Sequence, residues 1–295
     1  MTSFASEIGS ETRRTTRQGR KRGAHMDVER GIYIYGFGLS RDSDIILKQK
    51  GDEIAAIVSG EIVAFARTVD LAQYSEDALK ERANDQEWLI SEAQHHHQII
   101  TDIHRTAPIL PGKFGSAYAT EDDVREAIDR SRASIIERLD SVQGCDEWAV
   151  HVYLEDVDLT QAVLENDPEL ARLADQLSEA SEGRNYMLRQ RIQSRLRDAI
   201  EQYELELADA ALDELRSFAV EVQYESPREP EAVPDGETEI ARASMLVPRD
   251  RAEDFIEQAE LTNRTAVEIW LQITGPWPAY SFAQVENEEE RVIHE

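Results

Sequence analysis

The sequence predicts an α+β protein of two α/β domains, the second a ferredoxin-like β-α-β-β-α-β sandwich with a long helix. Three observations carry that reading. The segment Cys145–Leu154 alternates, with Trp148, Val150, Val152 and Leu154 on one face of an extended chain and Ala149, His151 and Tyr153 on the other, the period-two pattern of a strand on an apolar layer. From residue 185 to about 215, Leu188, Ile192, Leu196, Ile200, Tyr203 and Leu207 recur every three or four positions, the stripe of an amphipathic helix roughly 45 Å long. From Cys145 onward, strand and helix patterns alternate in the order β-α-β-β-α-β, which right-handed crossovers turn into an antiparallel sheet with helices on one face. A chain of 295 residues suits about two domains. The divisions expected are a disordered leader over 1–30, an N-terminal α/β domain over 31–144, the ferredoxin-like domain over 145–285 and an acidic tail over 286–295.

Composition bounds the setting. Hydrophobic residues make up 41% of the chain, enough for real cores, and no run is long and apolar enough to cross a membrane. No apolar stretch follows the basic N-terminal residues, so no secretory signal is expected and the protein reads as cytoplasmic, without a membrane partner. The single cysteine, Cys145, excludes an intrachain disulfide and a cysteine-based zinc cluster. Sixty acidic side chains against 32 basic ones give a net charge of −28, and only five of the basic residues are lysines: Lys21, Lys48, Lys50, Lys80 and Lys113. Such a surface stays soluble where salt screens its repulsion and repels itself where salt is low, the mark of salt adaptation. It excludes nucleic acid as a partner, because phosphate binding needs clustered cations on the folded surface.

Residues 1–30 lack apolar periodicity. They carry Arg13, Arg14, Arg17, Arg20, Lys21 and Arg22 and read as a disordered leader, or as sequence upstream of a start at Met26, rather than as a binding arm. Gly31-Ile32-Tyr33-Ile34-Tyr35-Gly36-Phe37-Gly38-Leu39 is β-rich and reads as a strand, its glycines spaced wrongly for a dinucleotide-binding turn. Residues 53–58 and 61–69, separated by Ser59-Gly60, predict a hairpin. From 75 to 105, Trp88, Leu89, Ala93, His96, Ile100 and Ile103 fall at helical steps behind a Ser75-Glu76-Asp77 cap. His95, His96 and His97 point in three directions around that helix, and neither Glu nor His stands four residues on from any of them. Only His97 and His104 share a face, so no metal site is expected. Pro108 stops the helix. Beyond it, Gly112-Lys113 lacks the preceding glycine and the hydroxyl residue of a phosphate loop. Thr120-Glu121-Asp122-Asp123 then caps a helix through Val124, Ala127, Ile128, Ile135 and Leu139.

In the second half His151, alone between apolar neighbours, reads as a satisfied or half-buried side chain. Asp167-Pro168 starts a helical run that Gly183 separates from the long helix, whose stripe is expected to pack on its own sheet. Phe218, Val220, Val222 and Tyr224 alternate in the next strand and Ala241, Ala243, Met245 and Val247 in the one after, joined by a proline-rich acidic loop from Ser226-Pro227 to Glu237. Asp250 and Glu253 are placed to cap a short helix carrying Ala252, Phe255, Ile256 and Ala259. Val267, Ile269, Leu271 and Ile273 give the strongest alternating strand, which Pro276 and Pro278 should prevent from continuing as an ordinary central ladder.

The run Gly275-Pro276-Trp277-Pro278-Ala279-Tyr280-Ser281-Phe282 resembles the C-terminal signature of the gas vesicle GvpF/GvpL family. Three further segments agree with it in order. Tyr33-Ile34-Tyr35-Gly36 stands near the start. Ile109-Leu110-Pro111-Gly112-Lys113-Phe114-Gly115 takes the position of the family's Leu-Pro-x-Arg-Phe-Gly-Thr segment, and Glu147-Trp148-Ala149-Val150-His151-Val152-Tyr153 that of its Glu-Trp-x-Val-x-Val strand. Lys113 and Ser116 depart from the family's Arg and Thr but keep the charge and the hydroxyl. The acidic, lysine-poor composition resembles haloarchaeal members, and the length resembles the longer GvpL type. The resemblance implies a cytoplasmic accessory protein of gas vesicle assembly, associated with gas vesicles, built of two α/β domains. It implies no enzymatic step and no cofactor, and as partners the hydrophobic gas vesicle shell protein and other accessory proteins.

A soluble adaptor of that kind needs exposed apolar patches on a charged body, because apolar burial supplies affinity and carboxylates supply solubility. The partner-binding candidates are Ile109, Leu110 and Phe114 in the first half and Trp277, Tyr280 and Phe282 in the second, with Trp277 expected mainly to pack and Tyr280 and Phe282 to reach a partner. The alternative is a small-ligand-binding or enzymatic protein built on ferredoxin-like domains. That requires a cleft with convergent polar groups, for instance His151 or His97 beside a carboxylate. The sequence contains no nucleophile–base pair, metal spacing or phosphate loop, so no catalytic, cofactor-binding or metal residue is assigned. Shell material, short and apolar, is a poor match.

Overall fold

β1 (Arg30–Leu39) reads as a near-continuous apolar run because helices cover both faces of its sheet. The computed structural model describes residues 30–285 other than 75–77, 79–81, 83–84, 179–181 and 229–237. The expected leader apart from Arg30, the Ser75-Glu76-Asp77 cap, most of the proline-rich acidic loop and the acidic tail therefore lie outside the described residues. β1 pairs antiparallel within the order β2-β3-β1-β4, and a short β5 (Ala117–Tyr118) pairs with it as well. The neighbours are β2 (Ala55–Ser59), β3 (Ile62–Asp70) and β4 (Ile109–Pro111). Tyr33, Tyr35, Val63, Phe65 and Ile109 face Ile46 of α1 (Ser43–Lys50) and Ile99, Ile100 and Ile103 of α2 (Gln86–His104). Ile34, Ile57, Ala64, Ala66 and Leu110 face Val124 and Ile128 of α3 (Glu121–Arg130) and Ile135, Leu139 and Val142 of α4 (Arg132–Val142).

The expected hairpin is β2–β3, with Ser59 opposite Ile62 and Gly60 at φ +60°. The capping box is present: Thr120 Oγ1 accepts the Asp123 N–H at 3.1 Å and Asp123 accepts the Thr120 N–H at 2.9 Å. The single helix expected behind it is two, broken at Ser131. α2 is capped by Asp85, which accepts the Trp88 N–H at 3.1 Å. α1, with only Ile46 buried, left too faint a pattern to be read from sequence.

β6 (Cys145–Leu154) lies inside a second antiparallel sheet of order β7-β8-β6-β9, with β7 (Glu221–Glu225), β8 (Thr238–Pro248) and β9 (Ile269–Trp277). Trp148, Val150 and Val152 share one face with Ala243, Met245, Val247, Ile269 and Leu271. This face packs under Ala211, Leu212 and Leu215 of α7 (Glu182–Arg216) and Phe255 and Ala259 of α8 (Ala252–Thr265). Cys145 and Leu246 join the core beneath α3 and α4 instead, together with Ala279 and Phe282 from beyond β9, so one apolar core reaches both sheets.

Several sequence expectations need correcting. Gly183 does not separate two helices; it lies in the first turn of α7, whose 35 residues span roughly 52 Å. A four-stranded sheet is only about 19 Å wide, so the helix outruns it. Ile192, Leu196, Ile200 and Tyr203 pack instead with Val163 of α5 (Leu159–Asn166) and Leu170 of α6 (Pro168–Ser178) in a small separate core. Neither Asp250 nor Glu253 caps α8, whose N-cap Arg251 makes no side-chain capping bond. Val220 precedes β7 and is 59% exposed, and Val267 precedes β9 and is 69% exposed. The expectation that Pro276 and Pro278 bar an ordinary central ladder agrees with the structure: β9 runs on to Trp277, but as an edge strand whose ladder to β6 shifts between Ala149 and Glu147, where Pro276 needs no donor.

Candidate interaction site between the two sheets

The three adjacent histidines of α2 diverge by about 100° each and so reach three different partners. His95 Nε2 lies 2.9 Å from the Tyr35 hydroxyl. His96 is buried; its Nε2 donates to the Gly112 carbonyl at 3.1 Å, which leaves Nδ1 to accept from the Tyr33 hydroxyl at 2.7 Å. Burial pushes the His96 imidazole down to about 4, so it is held neutral. Burial also raises Tyr33 and lifts Tyr35 to about 12. Arg67 stands 5.1 Å above the Tyr33 ring and pairs with Glu92, which also accepts from the Tyr74 hydroxyl at 2.8 Å. This cluster locks α2 onto the first sheet.

His97 points across to the second sheet. Its Nδ1 meets the Tyr280 hydroxyl at 2.8 Å, its ring stacks on Tyr280 at 5.8 Å, and Trp277 lies 5.5 Å away. The segment that carries these aromatics is fixed on three sides. Gly275 sits at φ +152°, and a Cβ there would stand 2.9 Å from both the Glu147 carbonyl and the Trp148 ring, so only glycine lets the chain pass. Glu147, buried in β6, accepts from the Ser281 N–H at 2.8 Å and from its hydroxyl at 2.6 Å. Phe282 is fully buried in the core shared by the two sheets. Burial holds the Glu147 carboxyl above its ordinary value despite the two Ser281 bonds, and burial together with the Glu147 charge raises the Tyr280 phenol. Trp277 and Tyr280 remain 39% and 36% exposed. The result is an aromatic pair on a braced segment, shared between α2 and the end of β9.

A second tie between the sheets is His104 of α2. Its Nε2 lies 2.7 Å from Asp146, while Arg249 donates to Asp146 at 2.9 Å and to the His104 carbonyl at 2.9 Å. Among the described residues no helix is long and apolar enough to cross a membrane, and no group of three His, Cys, Asp or Glu side chains is arranged to hold a metal.

The family profile described as gas vesicle synthesis protein GvpL/GvpF matches residues 31–284. The chain belongs to the GvpL/GvpF family. It is 26% identical to gas vesicle protein L of Streptomyces sp. (strain CB03234) over 275 residues, 92% of this chain and 98% of that one. It is 23% identical to gas vesicle protein L of Haloferax mediterranei over 208 residues, 67% of this chain and 61% of that one. The crystal structure of GvpF from Anabaena sp. PCC7120 shares the fold at a TM-score of 0.59 and 18% identity, covering 87% of this chain and 99% of that one. That of GvpF from Microcystis aeruginosa does so at 0.55 and 16%, covering 86% and 99%. Family membership supports a role in gas vesicle formation.

In this GvpL/GvpF chain the six residues singled out as a docking surface divide. Phe114 is half-buried, its ring 5.7 Å from His96. Ile109 and Leu110, at 0% and 1% exposure, are core residues on opposite faces of β4, and Phe282 is at 0%. These three offer no surface, which corrects the expectation; the chain is layered on both sides of β4 and folds back over Phe282. Trp277, expected to pack, is 39% exposed, and Phe282, expected at the surface, is buried. The sequence reading missed His95 to His97 and Glu147 as the braces, although a carboxylate directly before the apolar alternation of Trp148, Val150 and Val152 was the available signal. His151 does stand beside a carboxylate, Glu239, at 2.5 Å, but Arg228 and Tyr153 close that cluster: Arg228 donates to Tyr153 at 2.7 Å and its backbone N–H to Glu239 at 2.6 Å. An open depression of about 720 Å³ lies elsewhere, lined by Cys145, Val220, Pro248 and Asp250 among others.

Proposed function

We propose that this chain is a non-enzymatic, cytoplasmic adaptor of gas vesicle assembly that binds the hydrophobic shell protein and other accessory proteins through the aromatic patch of Trp277 and Tyr280, with His97 against it. The carrying observation is that two large aromatics stay more than a third exposed while the segment bearing them is pinned by Gly275, Glu147 and Phe282. Rigid, half-exposed aromatics are what partner-binding anchors require, since little side-chain freedom is lost on docking. The net charge of −28 keeps such a patch soluble between encounters. We read residues 31–144 and 145–285 as two units braced at this patch, the second a ferredoxin-like sandwich by its strand order β7-β8-β6-β9 and its one helix-covered face. No second reading is favoured, because the His151 cluster is satisfied within itself.

The test is capture of purified shell protein and of each accessory protein in molar salt by the intact chain and by a Trp277→Ala, Tyr280→Ala double variant. The reading expects folded double variant with at least about tenfold weaker capture of one partner, as loss of aromatic anchors produces. Undiminished capture of every partner by the double variant would sink it.

A further inference from the structure

Among the described residues the two sheets end in four margins, and three carry features that close them. At β9, Asn263 of α8 occupies the outward backbone of Leu271, accepting its N–H at 2.6 Å and donating to its carbonyl at 2.9 Å, and Pro276 follows. At β4 and β5 the paired segments are three and two residues long, and Pro108 and Pro111 bracket the first. β7 carries Glu221 and Glu225 at its two ends. These are the devices that keep a sheet from accepting a stray strand. The fourth margin has none: β2 reads Ala55-Ala56-Ile57-Val58-Ser59, without charge or proline, and Val58 is 44% exposed. Because the hairpin closes at Ser59 and Ile62, alternate residues Ser59, Ile57 and Ala55 bond toward β3 and the backbone groups of Ala56 and Val58 point away from it. Among the described residues nothing beyond the β3 ladder bonds to them.

We propose that the free edge of β2 binds an extended segment of another protein as an added strand, apolar at its centre and flanked by Lys or Arg. The charge at its ends selects that occupant. Asp52 and Glu53 precede the strand, and Lys50, 3.5 Å from Glu53, is drawn to Asp102 at 2.5 Å, so carboxylates outnumber cations there. At its other end Glu61, 3.0 Å from Arg132, and Asp129, which accepts the Ser59 hydroxyl at 2.6 Å, outnumber the one arginine. A second copy of this chain is disfavoured: antiparallel pairing about Ile57 would set Glu53 against Glu61 of the copy at both ends, between bodies that each carry −28. Added-strand binding draws affinity from backbone hydrogen bonds and specificity from alternate side chains, so a short, flat, uncharged edge suffices. This surface is separate from the Trp277 patch and does not depend on it.

Two synthetic probes test the inference, Lys-Thr-Val-Ile-Val-Thr-Lys and the same peptide with Glu at both ends. The readout is amide hydrogen exchange at Ala56 and Val58 of the intact chain. The basic peptide should slow both amides at least about tenfold and the acidic one should not. Val58→Pro removes an outward donor without breaking the β3 ladder, and should abolish the protection while leaving the melting temperature near that of the unaltered chain. Should that variant fold poorly, Val58→Lys, which charges the edge, should abolish it too. No protection by the basic peptide, equal protection by the acidic one, protection that persists in the variant that folds, or a dimer in sedimentation that a Val58 variant dissolves would each overturn the proposal.

Discussion

Residues 107–118 and 275–282 look alike as sequence, each a short run of prolines, glycines and aromatics following a regular element, yet the first buries its large aliphatic pair, Ile109 and Leu110, while the second leaves Trp277 and Tyr280 more than a third exposed. The difference is the packing around them. The first sheet has helices on both faces, so β4 had no open side: Ile109 went under α2 and Leu110 under α3 and α4. The second sheet is covered by α7 and α8 on one face and meets the α3–α4 core on the other through Cys145 and Leu246; beyond that contact Trp277 and Tyr280 emerge, while Phe282 turns back into the core that reaches both sheets. Composition marks such segments as special; the packing around them decides which of their side chains stay exposed.

The largest effect acts on the whole molecule: in low salt the unscreened charge of −28 should expand or unfold it, and molar salt should restore it, read as far-ultraviolet circular dichroism across a salt titration. An unchanged melting temperature would end the salt-adaptation reading. Next, Phe282→Ala and Leu110→Ala should each lower unfolding free energy by roughly 3 to 5 and 2 to 5 kcal/mol respectively, because both empty a packed core; denaturant curves measure this. Smaller is the acid response of His96. Its imidazole titrates near 6.5 when unfolded and near 4 when folded, so the unfolded chain takes the proton first. Its contribution is full above about pH 6.5 and lost as pH falls toward 4, by on the order of 3 kcal/mol. His96→Gln should flatten that limb of a stability–pH curve; an unchanged limb would remove His96 as its source. Smallest, Trp277→Ala should shift stability by only about 1 kcal/mol, since the indole is 39% exposed.

Where one face of an element met one apolar layer, the sequence was easily read. The alternation of β6 and β8, the Thr120–Asp123 box and the β2–β3 hairpin all record purely local physics. What stayed hidden depended on distant chain. The stripe of α7 announces a partner but not which one, and α5 and α6 took the half that the sheet was too narrow to cover. Likewise the run of histidines pointed three ways, and only the fold supplied Tyr35, Tyr33 and Tyr280 at the ends of those directions. The role of Ser281 was illegible for the same reason: its partner Glu147 lies 134 residues earlier.

In the proposed function the exposed aromatic pair, and not exposed apolar surface in general, meets other gas vesicle proteins. A photo-crosslinking residue placed at Trp277 tests it against one placed at Val267, which is apolar, 69% exposed and just ahead of the same strand. Irradiated during vesicle formation, the chain labelled at 277 should crosslink to the shell protein or an accessory protein while the one labelled at 267 should not. Crosslinks from 267 alone, or equally from both positions, would contradict the account.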